Sequence, residues 1–206
     1  MLIAEQLMLL CIDPASGGFE ASRSHLDIDS LAAAALLLDL AEHRRLRFNA
    51  GFVAIETDLP VSHMQLTAVS QALAGHTLGL EAAIDLIVSR MPGVANQLFE
   101  SLFRRDILHR VRAGWWPGAA RRYPMRSLQA RNEAIARVEA ATRPVPMTLR
   151  GTGLLLLVEV GGRLASILDG TAHEAATSRL NDLTFVHEGD SVDARLLASL
   201  RDSLLD

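Results

Sequence analysis

Apolar residues recur at helical spacing along most of the chain, and this pattern predicts a mainly helical protein. The turn-forming Pro14, Gly17 and Gly18 end the first stripe, and Pro92 ends the fourth. We expect the stripes to form the core: Ile3, Leu7, Leu10 and Cys11; Ala33, Leu36, Leu37 and Leu40; Leu66, Val69 and Leu73; Leu80, Ile84 and Ile87; Val94, Leu98 and Leu102; Leu128, Ile135 and Val138; Val192, Leu196, Leu200 and Leu204.

An apolar run at about 147–159 is predicted to be a buried core helix. It is roughly half as long as the 18 to 20 residues that a bilayer-spanning helix requires, and it contains Glu159. A surface helix is expected across 171–182, and Asp29 or Ser30 is expected to cap the second helix. Asp27 and Asp29 are interpreted as helix-cap candidates rather than as an acid/base pair. The sequence RPVP at 143–146 is the clearest break. We expect one domain over 1–206, with 143–146 as the place where a subdivision would fall.

Two segments share an order of parts, LDLAEHRRLRFNAGFVAIE at 38–56 and ESLFRRDILHRVRAGWWPG at 100–118. Each contains a helix end, a double arginine and an apolar leucine (Leu46 or Leu108), and then Ala-Gly before two large apolar residues. Glycine is favoured in tight hairpin turns, so the pattern predicts two helix-plus-hairpin units. Convergent turn chemistry is the alternative explanation of the similarity.

The charge of the chain is uneven. Its formal net charge is −4, and all 20 basic residues are arginine. Residues 103–126 contain seven arginines and one acid, Asp106, so this window carries about +6 and the remainder about −10. A cationic window in an acidic chain indicates an anionic partner. The alternative is a solvated face whose arginines pair with acids elsewhere in the fold.

The sequence contains no recognisable catalytic or cofactor motif. It has no Gly-x-Ser-x-Gly elbow, P-loop or His-Glu-x-x-His, and its seven histidines lack ligand-like spacing. Cys11 is the single cysteine, which excludes an internal disulfide and a cysteine-rich zinc site. The start, MLIAEQLMLL, is not typical of a signal peptide. We therefore expect a non-enzymatic, cytoplasmic protein without cofactor or metal.

Four motifs in order carry a resemblance to a known family: LIAEQLMLLCID, LAAAALLLDLAEHRRLRF, LFESLFRRDIL and RRYPMRSLQARNEAIARVEAA. Their order and spacing resemble the Golgi phosphoprotein 3 family, especially its bacterial members, over most of residues 1–142. The resemblance implies a mainly α, single compact helical-bundle domain with short β-hairpins. It also implies a non-catalytic peripheral membrane protein; the eukaryotic members bind phosphatidylinositol 4-phosphate and tether Golgi enzymes for vesicle sorting.

The headgroup pocket of the family is not matched residue by residue. The family uses one Trp and three Arg, and the aligned positions here hold Ser24, Ala33, Pro92 and Ala95. Arg23 and Arg90 lie close to these positions in the sequence and are candidate anion-binding residues. We therefore expect weak discrimination among phosphoinositides.

The membrane-facing hairpin of the family corresponds to AGWWPGAARRYP at 113–124. Tryptophan favours the headgroup level of a bilayer, and nearby arginines favour an anionic leaflet. The predicted lipid-binding residues here are Trp115, Trp116, Arg110, Arg112, Arg121, Arg122 and Arg126. Tryptophans that fold back and fill a gap inside the protein are the alternative.

Two other function classes compete with binding to an anionic phospholipid membrane. A helix followed by a basic hairpin also describes a winged-helix nucleic-acid-binding module, although the negative net charge argues against it. A protein-interaction or self-association module would also use exposed tryptophans and arginines. We favour a cytoplasmic protein that associates peripherally with the inner face of the membrane.

Overall fold

Helices dominate the computed structural model, which describes residues 1–19, 27–56, 62–112, 121–144 and 146–205. The described elements in chain order are α1 (Ile3–Cys11), α2 (Ile28–Glu42), β1 (Leu46–Asn49), β2 (Phe52–Ile55), α3 (Met64–Leu73), β3 (Thr77–Gly79), α4 (Leu80–Arg90), α5 (Val94–Arg104), β4 (Val111–Arg112), β5 (Arg121–Arg122), α6 (Gln129–Ala141), α7 (Leu149–Val160), α8 (Leu164–Ile167), α9 (Gly170–Asn181), a 3-10 turn (Asp182–Phe185) and α10 (Val192–Leu205). The predicted mainly α class with short hairpins is confirmed.

The core surrounds α2, which packs against α1, α3, α4, α5 and α7. Every residue of α1 is buried, as is every residue from Leu31 to Leu40 in α2. The predicted apolar run is α7, and Leu155 and Leu156 in it are at most 1% exposed. Helices α2 and α7 approach closely at Gly153, where a Cβ atom would lie 2.6 Å from Leu38 Cδ1. The predicted core leucines are confirmed: Leu36, Leu37, Leu40, Leu98, Leu155 and Leu156.

Two residues assigned to core stripes are exposed instead. Val192 is the first residue of α10, and Leu128 precedes α6 at its N-cap. A side chain at the first position of a helix extends beyond the packed turns, so helical spacing overstates its burial. The inner face of α10 is formed by Leu196, Leu197 and Leu200.

A three-stranded antiparallel sheet contains the first predicted hairpin. Strand β1 pairs with β2 from Leu46 opposite Ile55 to Asn49 opposite Phe52. The turn residues Ala50 and Gly51 both have positive φ, 47° and 82°, as expected for a tight hairpin turn of this hand. The third strand, β3, pairs with β2 and was not anticipated from the sequence.

The second predicted unit is also present, as α5 followed by the β4–β5 ladder. Val111 pairs with Arg122, and Arg112 pairs with Arg121. An isolated bridge between Leu108 and Met125 extends the antiparallel pairing towards α5. Residues 113–120, including Trp115 and Trp116, lie outside the described residues.

The two units share the same helix-ending turn. Arg44 after α2 and Asp106 after α5 both adopt the left-handed conformation, with φ of 54° and 59°. The next amide donates back to the helix in each case, Arg45 N–H to Leu40 O at 2.8 Å and Ile107 N–H to Leu102 O at 3.1 Å. This is the Schellman arrangement. The similarity in sequence therefore reflects a repeated local structure.

Asp27, one of the predicted helix-cap candidates, is the N-cap of α2, and its carboxylate accepts from Ser30 N–H at 2.7 Å. The prediction that Asp29 or Ser30 caps this helix is wrong. Asp29 reaches across to the start of α5, where it accepts from Gly93 N–H at 3.0 Å and Ala95 N–H at 2.9 Å. A residue expected to serve its own helix therefore caps a distant one.

Two buried carboxylates surround the start of α1. Asp39 of α2 accepts from Ile3 N–H at 2.7 Å and Ala4 N–H at 3.0 Å. Glu5 accepts from Leu2 N–H at 3.0 Å and from the guanidinium of Arg105 at 2.7 and 2.8 Å. The first amides of a helix have no partner within it, so a buried start requires such acceptors.

The two carboxylates have opposite shifts of pKa. Burial raises the pKa of Asp39 to about 7, against the lowering effect of the two amides and of the Arg150 charge. Burial also acts to raise the pKa of Glu5, but the hydrogen bonds from Arg105 and Leu2 and the charges of Arg105 and His63 outweigh it. The pKa of Glu5 therefore lies below its ordinary value.

The raised pKa of Asp39 makes stability depend on pH near neutrality. The folded state holds the Asp39 proton more tightly than the unfolded state, so this contribution is complete below about pH 4 and is lost as pH rises through about 7. We expect D39N to flatten the fall in the free energy of unfolding between pH 5 and pH 8, measured by urea denaturation. The control is D85N, because Asp85 on α4 is exposed. It should leave the pH dependence of the free energy of unfolding unchanged.

Removing the charge of Glu5 should destabilise the protein. Glu5→Gln leaves Arg105 without its carboxylate, and we expect a loss of about 2 kcal/mol, reduced from the full cost of breaking a buried pair because Arg105 is partly exposed. Glu56→Gln, which removes the exposed pair with Arg47, should cost less than about 0.5 kcal/mol. Equal losses for the two variants in chemical denaturation would contradict this role of Glu5.

Candidate functional site

The predicted basic window forms the end of α5 and the ladder that follows it. Arg104 and Arg105 end α5, Arg110 and Arg112 lie on the approach to and within β4, and Arg121 and Arg122 form β5. Arg126 follows the ladder. All seven arginines of the window are exposed to solvent. The structure therefore brings five of the predicted lipid-binding residues into one region: Arg110, Arg112, Arg121, Arg122 and Arg126.

Glu100 of α5 organises one side of this region. The Arg110 guanidinium donates to its two oxygens at 2.9 and 3.2 Å, and Arg121 donates to Oε1 at 3.1 Å. The hydroxyl of Tyr123 donates to the same Oε1 at 2.9 Å. Partial burial acts to raise the pKa of Glu100, but the hydrogen bonds from Tyr123 and Arg110 and the arginine charges hold it below its ordinary value. One carboxylate therefore serves two arginines.

Aromatic packing holds the ladder against α5. The ring of Tyr123 stacks on Phe99 with centroids 5.0 Å apart, and the Arg110 guanidinium lies 4.7 Å from the centre of the Phe103 ring. Burial and the hydrogen bond to Glu100 raise the pKa of the Tyr123 hydroxyl, which stays protonated as a donor. The ladder is thus fixed to the second half of α5 by both packing and charge.

The arginines exceed the carboxylates that pair with them. Arg105 pairs with Glu5, Arg110 and Arg121 share Glu100, and Arg126 pairs with Asp106. Within the described ranges, Arg104, Arg112 and Arg122 form no side-chain ion pair. Internal pairing therefore accounts for four arginines and leaves three without an ion pair among the described residues. Seven arginines against three carboxylates leave four positive charges in excess. We call the described part of this region, residues 104–112 and 121–126, the basic surface.

The remaining candidates lie elsewhere or outside the described residues. Arg90 is exposed at the end of α4, before α5 begins, whereas the ladder packs on the second half of α5. Arg23, Ser24, Trp115 and Trp116 are not among the described residues. Ala33 is fully buried inside α2. Pro92 directly precedes Gly93, and Gly93 and Ala95 donate their amides to Asp29. Of the positions aligned with the family's headgroup pocket, Pro92 and Ala95 thus lie at the start of α5, where the half-buried carboxylate of Asp29 accepts from the backbone amides.

Sequence reasoning missed the residues that arrange the arginines. Glu100 carries no local signal, because its role depends on a ladder more than ten residues further along the chain. Tyr123 could have been singled out, since it is the single tyrosine and it directly follows Arg121 and Arg122. Asp29 is recognisable from the sequence as a capping residue, but nothing in the sequence shows that it caps α5 rather than its own helix.

The described residues form neither a metal-binding cluster nor a membrane-spanning helix. None of the described His, Cys, Asp and Glu side chains form a group of three or more that could hold a metal ion. Within the same ranges, no helix has both the length and the apolar character needed to cross a bilayer.

Comparison with known proteins identifies the fold family. No curated protein matches the chain at a significant level. The model of the Golgi phosphoprotein 3 (GPP34) family matches residues 3–202, which include α1, both helix-plus-hairpin units and nearly all of α10. The match extends well beyond the residues 1–142 that carry the resemblance in sequence. The chain belongs to the Golgi phosphoprotein 3 (GPP34) family.

Proposed function

We propose that this chain is a non-enzymatic, single-domain peripheral membrane protein that binds anionic phospholipid through the basic surface. The observation that carries the proposal is the set of exposed arginines Arg104, Arg112 and Arg122, which form no ion pair within the described ranges beside a ladder fixed by Glu100. Membership of the family supports a lipid-binding or adaptor role. The proposed location is the cytoplasm, with association at the inner face of the membrane.

The charge excess suits reversible attachment. Each arginine near an anionic leaflet contributes about 1 kcal/mol, so an excess of four supplies about 4 kcal/mol. Stable membrane attachment generally needs a second contribution from inserted apolar groups. Trp115 and Trp116, in the segment that joins β4 to β5, are proposed to supply it.

The arginines also offer a place for a phosphate group. A cavity of about 290 Å³ is lined by Arg110, Val111, Arg112 and Arg121. Guanidinium groups bind phosphate oxygens through paired hydrogen bonds, which makes arginine well suited to headgroups. In the proposed complex, Arg112 supplies free donors, while Arg110 and Arg121 stay positioned by Glu100.

Specific recognition of phosphatidylinositol 4-phosphate is not expected for this member. Pro92 and Ala95 replace the family's arginines, and the carboxylate of Asp29 already accepts from the amides of Gly93 and Ala95. A phosphate approaching these amides would meet a negative charge at the position it needs. The proposed ligand is therefore the anionic surface as a whole, and protein partners would be recruited there.

Charge reversal tests the proposed surface. We expect R112E/R122E to abolish flotation with vesicles of phosphatidylcholine and phosphatidylglycerol, because the excess charge changes from four positive to zero. Binding of the native protein should also weaken as salt shortens the Debye length to about 8 Å and below. Thermal stability should change little, since both side chains are exposed and outside any ion pair within the described residues.

R44E/R143E provides the matched control. These arginines are exposed, lie outside the basic surface and give the same change in net charge. If both double variants lose binding equally, net charge rather than the basic surface is responsible. If R112E/R122E still floats, this surface is not the contact. Tighter binding of the native protein to duplex DNA than to vesicles would favour the nucleic-acid alternative.

A second experiment concerns headgroup selectivity. Vesicles containing phosphatidylinositol 4-phosphate and vesicles containing phosphatidylglycerol, matched in total charge, should bind the protein within about threefold of each other. The physical reason is that Asp29 occupies the amides at the start of α5. A preference of tenfold or more for phosphatidylinositol 4-phosphate, measured by sedimentation with vesicles, would contradict this expectation.

A further inference from the structure

The loop that follows α1 is built into the basic surface. The amide of Tyr123 donates to Gly17 O at 2.9 Å, and the amide of Met125 donates to Pro14 O, also at 2.9 Å. Both donors lie in the segment that directly follows β5. The loop therefore lies against the segment that leaves the ladder, next to β5 in the chain.

Gly17 allows this contact. Its φ is +63°, and a Cβ atom built on it would lie 2.0 to 2.4 Å from backbone atoms of Tyr123 and Pro124. Real Cβ atoms do not approach backbone so closely, so no other residue fits without moving the loop. Tyr123 is itself fixed by Phe99 and Glu100. The loop and the ladder are thus held together at backbone level.

The loop is also closed on itself. Asp13 Oδ1 accepts from Ser16 N–H at 2.6 Å, and the amide of Gly17 donates to Asp13 O at 2.9 Å. The amide of Asp13 donates in turn to Gly18 O at 2.9 Å, and Ile12 and Phe19 form an isolated antiparallel bridge. Phe19 is consequently held in place at the backbone although it lies outside any helix.

Phe19 is a large apolar side chain that remains 46% exposed at this position. Val111 of β4, directly opposite Arg122, is 43% exposed. Single exposed apolar residues are common on protein surfaces and need no explanation. Here, however, an exposed phenylalanine whose backbone is fixed by a bridge to Ile12, and an exposed valine, accompany a surface with four excess positive charges.

We propose that Phe19 is a second membrane anchor, which inserts at the headgroup level of an anionic bilayer beside the arginines of the ladder, with Val111 contributing apolar area. The proposal rests on the proposed function and extends it to a segment outside the hairpin. A lipid surface is favoured over a protein partner because two half-exposed side chains fall far short of the roughly 800 Å² per partner of a stable protein interface. The excess of arginine also complements anionic headgroups.

A single labelled cysteine tests the position of Phe19 directly. Cys11 is buried and burial raises the pKa of its thiol to about 12, so a thiol reagent should react at the introduced cysteine alone. A polarity-sensitive fluorophore on F19C should shift to the blue with phosphatidylglycerol-containing vesicles and be quenched by lipids that carry a nitroxide near the headgroup. F52C is the matched control, since Phe52 on β2 is similarly exposed, at 52%. It should show neither change.

Binding of the alanine variants provides the second measurement. We expect F19A to lower the vesicle partition coefficient about five- to tenfold, as loss of a half-exposed ring implies, while F52A leaves it unchanged. Both variants should keep the melting temperature of the native protein. If F19A loses vesicle binding and its melting temperature also falls, while F52A keeps both, Phe19 has a structural role. That result overturns the proposal unless labelled F19C still reports insertion.

The proposed function and the proposed Phe19 anchor can be contradicted by different results. If R112E/R122E abolishes binding but F19A binds normally and labelled F19C shows no shift, the anchor is wrong and the proposed function stands. If the native protein does not bind anionic vesicles, both are wrong. If labelled F19C and F52C shift equally, binding does not involve a defined face, which also overturns the anchor.

Discussion

The buried start of α1 is the constraint on which the rest of the fold depends. A helix that is buried along its whole length must place its first amides inside the protein, where water cannot satisfy them. Asp39 and Glu5 supply the acceptors, and Arg105 balances the charge of Glu5. This arrangement requires the ends of α2 and α5 to meet at the start of α1. The position of the β4–β5 ladder, which follows α5, is set by the same requirement.

Glu100 gives the basic surface its particular character. A window of seven arginines could have been neutralised by acids from elsewhere, and four of the seven are indeed paired. Because one carboxylate holds both Arg110 and Arg121, the pairing positions side chains without cancelling the local charge. Packing of Tyr123 on Phe99 then fixes the strand that carries Arg121 and Arg122. The arginines are therefore held in fixed positions while the basic surface keeps its excess of positive charge.

Much of the helical framework could be predicted from the sequence, because an apolar stripe is a local pattern that burial imposes on each helix. The hairpin at Ala50 and Gly51 was predictable for the same reason, since turn chemistry is local. The partners of Asp29, Asp39 and Glu100 were not, because each side chain acts on a segment distant along the chain and nothing in its neighbours reveals which. The arginines of the candidate site were recognisable by composition, whereas Phe19 was not, since its importance depends on the close contact at Gly17.

The repeated turn at the ends of α2 and α5 has a consequence for cooperativity. Asp39 and Ser101 occupy the same position relative to their turns, and both contact the start of α1, at Ile3 and Glu5 respectively. Neither unit alone provides all the partners that this helix start needs. Loss of either unit would leave buried polar groups at the start of α1 unpaired, which is unfavourable. The first two-thirds of the chain should therefore unfold in one step, and a fragment that ends between the units would lack the contacts of Ser101 and Arg105 with Glu5 of its first helix.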